Sequence, residues 1–163
     1  MTPPQTPPSW RIWPPLAGFI GSAFIAGAIG SWATIANVRA WYPLLHKPAW
    51  NPPNWLFAPV WSTLYVLMGV AIWRIWRCAN AGSPGWVRLY FVQLALNALW
   101  SVVFFGLKQP AWALVDIVAL WGILVWMQIS FWRLDRLAAA LWVPYVLWVS
   151  FASVLNAAIV RLN

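Results

Sequence analysis

The sequence predicts an all-α integral membrane protein, a bundle of five transmembrane helices, on three observations. Of its 163 residues 63% are hydrophobic and only 7% charged, against roughly 25% charged in an average soluble domain, so water is not the main solvent of its surface. The apolar residues gather into five runs, at 16–38, 54–76, 86–107, 111–132 and 137–160. Each is long enough as a helix to cross a hydrocarbon core of ~30 Å, which takes ~20 residues. There are also 17 Trp, a residue favoured at membrane interfaces and in pockets for flat ligands. The same composition excludes disorder, and helices buried in a soluble protein would need the polar faces that these runs lack.

In chain order, residues 1–15 carry Pro3, Pro4, Pro7, Pro8, Pro14 and Pro15 and are expected to form an extended or disordered tail that is retained rather than cleaved. The first run, ending before Arg39, places small residues four apart at Ser22, Ala26 and Gly30 and again at Ala23, Gly27 and Ser31. Such stripes let helices approach closely in lipid, here against either the protein's own bundle or a second protomer. The connection 39–53, RAWYPLLHKPAWNPP, is apolar yet too rich in proline for continuous helix. It reads as a lid folded over the bundle or as an aromatic segment resting in the headgroup layer. Pro52, Pro53 and Arg77 bound the second run, Gly82 to Gly85 precede the third, and Lys108 to Pro110 separate it from the fourth. Arg133 to Arg136 separate the fourth run from the fifth.

Ten Lys and Arg against two Asp and Glu give a formal charge of +8. The cations punctuate apolar runs instead of forming a basic stripe, so no nucleic-acid partner is expected. With five spans the termini lie on opposite sides. Arg11, Arg74, Arg77, Arg88, Arg133 and Arg136 then fall on one side and Arg39, Lys47, Lys108 and Arg161 on the other, which favours a cytoplasmic N-terminus.

Catalytic chemistry finds little to work with. Asp116 lies one turn or so into the fourth run and Asp135 in a loop on the opposite side, too far apart across the bilayer for shared acid–base work. His46 and Cys78 are separated in the same way. One His, one Cys and two carboxylates do not make an ordinary metal site, so no catalytic residue, metal or required cofactor is expected. Asp116 is the one acid expected within the membrane. It is read as a structural anchor paired with cations of its own side or with backbone and Trp donors, or alternatively as a ligand or proton-relay group.

The neutral polar residues fall on stripes. Gln93, Asn97 and Ser101, with Trp100 beside them, recur four apart on the third run; Trp148, Ala152 and Asn156 do so on the fifth, and Trp61 and Tyr65 pair on the second. Amides in hydrocarbon must face protein, and hydrogen bonding between helices alone would account for these stripes. Their depths also bring Trp61, Asn97, Trp100, Trp148 and Ala152 into one half of the bundle, beneath the 39–53 connection. Flat rings, a few amides and a small residue under a cover are the make-up of a pocket for a large apolar aromatic ligand.

The stretch WYPLLHKPAWNPPNWLFAPVWSTLYVLMGVA (41–71), together with Gln93 to Asn97, Asp116, VPYVLW (143–148) and LNAAIVRLN (155–163), resembles the TspO/MBR family. These are the tryptophan-rich sensory proteins related to the mitochondrial translocator protein, or peripheral benzodiazepine receptor. The resemblance implies a five-helix bundle, commonly a homodimer, that binds porphyrins such as protoporphyrin IX and haem, together with synthetic isoquinoline carboxamides and benzodiazepines. Carried over, the ligand-binding residues are Tyr42, Trp61, Asn97, Trp100, Trp148 and Ala152, with Asn156, Asp116 and Gln93 as structural polar groups within the membrane. The expected setting is a bacterial cell membrane. Animal members carry a sterol-recognition pattern with a Tyr where this chain has Ala157, which speaks against sterol binding by that pattern.

On this reading Tyr42 and its loop gate the pocket, Trp61 and Trp148 stack on the ligand, and Asn97 hydrogen-bonds to it. Arg39 and Lys47 attract carboxylates. Two rivals come from other classes: a catalyst that degrades porphyrin with light and oxygen, and a small proton-coupled exporter built on Asp116.

Overall fold

The structure is a computed structural model and describes residues 13–78 and 83–163. Five helices follow the apolar runs: α1 (Trp13–Ala40), α2 (Phe57–Cys78), α3 (Ser83–Ser101), α4 (Pro110–Leu134) and α5 (Arg136–Leu162). All five are long and apolar enough to cross a membrane, and no strand occurs among the described residues.

The helix ends differ from those expected, each for a local reason. α1 begins at Trp13, so Pro14 and Pro15 belong to its first turn, where the amides have no helical partner and proline's missing N–H costs little. Residues 13–15 of the expected tail are helical, and residues 1–12 lie outside those described. α2 is preceded by a 3₁₀ turn, Asn54–Leu56, and α3 starts at Ser83 instead of 86. Beyond Ser101, α3 widens into a π-helical turn, Val102–Gly106, closed by the Leu107 N–H donating to the Val102 carbonyl at 2.8 Å. Lys108 then stops it in a left-handed conformation, φ 57°. Pro144 lies inside α5, which neighbouring helices tolerate in lipid.

α1 packs on α2 and α3, α2 on α5, α5 on α4, and α4 on α3, closing a ring. The small residues of α1 turn into this ring. Ala23, Ala26 and Ala33 are buried while Ile25, Ile29, Trp32 and Ile35 face outward, so the stripe is used within the bundle. A Cβ on Gly69 of α2 would come to 2.9 Å from the Ile20 backbone, so the two helices touch there at main-chain distance.

Residue size sets where the bundle is solid. In the half that holds the N-terminus of α1, Phe19, Met68, Ile72, Tyr90, Leu124, Phe131 and Trp142 fill the interior. This end is tied by Arg74 and Asp135, whose Nη2 and Oδ2 are 2.8 Å apart. Asp135 also caps α5, its Oδ1 accepting from the Leu137 and Ala138 N–H groups at 2.9 and 3.0 Å. In the other half a smaller core of Tyr42, Phe104, Ala113, Leu155 and Ile159 leaves space beside it.

Candidate functional site

That space is a cavity of about 720 Å³, within the range of roughly 300–1,000 Å³ typical of ligand pockets. Small residues make the room: Gly27, Gly30 and Ser31 from α1 and Ala152 from α5 line it. Gly27 admits the ring of Tyr65, which a Cβ there would strike. No α4 residue contributes to the wall, so α4 buttresses the site from outside.

The structure places Tyr42, Trp61, Asn97, Trp100, Trp148 and Ala152 on the wall of this single cavity, together with Asn156 and Arg39. Trp61, Trp100 and Trp148 each pack against another ring, while Trp55, also in the wall, is exposed. Trp61 lies 5.5 Å from Tyr65 and 6.1 Å from Tyr145 between centroids. Trp148 packs against Phe57 and Phe151. Trp100 stacks on Phe104 at 5.1 Å, a ring supplied by the π-helical turn, and its Nε1–H donates to Asn156 Oδ1 at 3.0 Å. Asn156 Nδ2 in turn donates to the Pro110 carbonyl at 2.8 Å, fixing the wall to the start of α4.

Beneath the cavity floor a polar chain joins α3 to α5. Asn97 Nδ2 donates to the Tyr145 hydroxyl at 3.2 Å, and that hydroxyl donates to Gln93 Oε1 at 2.8 Å. Gln93 is fully buried and lies off the wall. Both the interhelical bonding and the cavity expected of the polar stripes are therefore present, and Asn97, Trp100 and Asn156 take part in both. Sequence reasoning missed Tyr145 as the hub. It stands three residues from Trp148 and four from Leu141 on a run of apolar and aromatic residues, and nothing in the pattern marks its hydroxyl as special.

The 41–53 connection reaches the cavity wall through Tyr42. The buried Tyr42 packs against Phe104 and Phe105, and its hydroxyl donates to Asn51 Oδ1 at 2.7 Å. Burial raises its pKa above the ordinary tyrosine value, against the lowering effect of the Asn51 bond, so it remains a neutral phenol. Two expectations are corrected here. Lys47 does not line the cavity: its ammonium donates to the Tyr42 and Leu45 carbonyls at 2.7 and 3.1 Å and lies over the Tyr42 ring. It therefore braces the loop, because a loop short of partners for its carbonyls captures a nearby donor. Asp116 makes no ion pair among the described residues, and its Oδ2 is buried without a hydrogen-bond partner.

Electrostatically the cavity is one-sided. Arg39 stands in its wall, and neither Asp116 nor Asp135, the chain's two acids, does. No group of three or more His, Cys, Asp or Glu suited to a metal occurs among the described residues.

A ring of five membrane-spanning helices with an internal aromatic cavity defines a polytopic integral membrane protein. The chain belongs to the TspO/MBR family, whose model matches residues 19–162. It is 46% identical over 117 residues to the "Tryptophan-rich protein TspO" of Chlorobaculum tepidum, covering 69% of this chain and 73% of that protein. To the "Protein CrtK" of Rhodobacter capsulatus it is 42% identical over 114 residues, 69% and 71% of the two chains. The similarity to the "Translocator protein" of Sus scrofa, 38% over 167 residues, spans 100% of this chain and 94% of the relative.

Proposed function

We propose that this protein is a membrane receptor or transporter-like protein that binds porphyrins, protoporphyrin IX and haem among them, and similar hydrophobic aromatic ligands in its intramembrane cavity, in tetrapyrrole regulation or transport. The observation that carries the reading is one cavity walled by Trp61, Trp100 and Trp148, with Asn97 and Arg39 in the wall and no acid. Flat indoles suit a flat macrocycle. Asn97 supplies orientation, Ala152 leaves room, and a cation without a competing carboxylate suits a ligand whose propionates are anionic. The relatives' names, translocator and tryptophan-rich sensory protein, fit binding and passage, and the reading is of a binding protein rather than a catalyst. A homodimer in a bacterial cell membrane is part of the proposal.

The test is a titration of the purified protein with protoporphyrin IX followed by quenching of tryptophan fluorescence, in light and in darkness. Saturable quenching near one equivalent, with porphyrin recovered intact, supports a receptor. Porphyrin breakdown beyond one equivalent replaces it with the catalytic reading, and no saturable quenching removes both.

A further inference from the structure

We propose that Asn163 is a positioning residue that latches the 41–53 connection, which brings Tyr42 into the cavity wall, and thereby sets how fast ligand exchanges; the kinetic half of the proposal rests on the ligand-binding reading above. The connection crosses from α1 to α2, so its ends are held by the chain itself, while its middle must reach across to α5. At that point the His46 N–H donates to Asn163 Oδ1 at 3.0 Å and Asn163 Nδ2 donates back to the His46 carbonyl at 3.0 Å. The same Nδ2 also donates to the Ile159 carbonyl at 2.8 Å, in the last turn of α5.

The side-chain amide thus behaves as a peptide group would in an antiparallel strand pair, giving and taking one bond with the same residue. Its second donor hydrogen fixes its direction on the helix end. This chemistry is specific to a primary amide, because a carboxylate offers no donor and an aliphatic side chain offers nothing. The remaining attachments of the connection to the bundle are apolar and adaptable, among them Tyr42 against Phe105 and Trp50 against Phe151. The polar pair is directional, and breaking it frees the middle of the connection without removing any cavity wall.

Two measurements on the full chain in lipid nanodiscs test this. Hydrogen–deuterium exchange without ligand is followed for the amides of 42–48 in the wild type, Asn163→Ala, Asn163→Asp and the exposed-neighbour control Leu162→Ala. Stopped-flow quenching with protoporphyrin IX is followed in the same four proteins. Exchange and the ligand dissociation rate are expected to rise by roughly tenfold in both Asn163 variants, the scale of one to two net hydrogen bonds, and to stay at wild-type values in Leu162→Ala. Asp is the sharper variant, since it keeps size and acceptor, loses the donors and sets a negative charge against the His46 and Ile159 carbonyls. Unchanged exchange in both Asn163 variants overturns the latch. Faster exchange with an unchanged dissociation rate overturns its role in ligand exchange. Absence of protoporphyrin binding in the wild type overturns the porphyrin reading, and the exchange arm still judges the latch.

Discussion

Trp100 and Asn156 are joined across α3 and α5 by an indole N–H donating to an amide oxygen at 3.0 Å, and the same amide reaches the first carbonyl of α4. One buried residue therefore sets the orientation of a cavity wall and ties three helices. Replacing it by an isosteric apolar residue, Asn156→Leu, leaves the Trp100 indole N–H unpaired in a low-dielectric interior and removes the side-chain donor to the Pro110 carbonyl. A loss of about 1–2 kcal/mol is expected, read as a lowered thermal unfolding midpoint, with weaker protoporphyrin binding.

Tyr145 is the hub between Asn97 and Gln93. Tyr145→Phe keeps the packing against Trp61 and Trp142 and deletes only the hydroxyl. The expected cost is about 1 kcal/mol of stability, together with reduced ligand affinity because the Asn97 amide loses its restraint. An unchanged affinity would separate Asn97 from ligand contact.

Gly69 and Gly18 make a paired test of the α1–α2 contact. A side chain at Gly69 meets the Ile20 backbone, whereas one at Gly18 meets nothing within 4 Å. Gly69→Val is expected to destabilise the bundle by about 1–3 kcal/mol through overpacking, while Gly18→Val leaves the unfolding midpoint near wild type.

Asp135 gives the fold an acid-sensitive component at the end away from the cavity. Burial alone would raise its pKa, but the Ala138 N–H, Arg74 and Cys78, with the Arg74 charge, outweigh it and hold the carboxyl below its ordinary value. A depressed carboxylate stabilises the folded state above its unfolded pKa of roughly 4 and loses that contribution as pH falls through the folded value. The wild type should therefore lose stability more steeply than Asp135→Asn below about pH 4. Parallel pH profiles of unfolding for the two proteins would contradict this.

Arg39 is the cavity's cation. Arg39→Gln is expected to weaken protoporphyrin IX several-fold at low salt and less at high salt, as screening grows, and to leave the dimethyl ester unaffected. Equal losses for acid and ester would show that Arg39 contributes packing and not charge.

The helices were legible because lipid demands long unbroken apolar runs, and the pocket residues because amides and small residues stand out against them. What lay hidden depends on geometry finer than hydrophobicity. The π-helical turn that presents Phe104 to Trp100 rests on hydrogen bonds shifted by a single residue. Lys47 carries a charge that suggests a ligand but spends it on loop carbonyls. Trp142, fully buried with its Nε1–H on the Leu124 carbonyl, is indistinguishable by composition from the lipid-facing Trp126. The tryptophans therefore divide by position: Trp13, Trp32, Trp112 and Trp132 face outward, Trp142 fills the core, and Trp61, Trp100 and Trp148 wall the cavity.

That division supplies the most direct measurement: protoporphyrin IX affinity, from fluorescence titration, in Trp61→Phe, Trp148→Phe and Trp126→Phe. Trp61 and Trp148 line the cavity, and Trp126 is 65% exposed on the outer surface. A ligand site in the cavity requires binding weaker by about three- to tenfold in the first two, the scale of a lost aromatic contact, and wild-type binding in the third. Equal affinity in all three would contradict it.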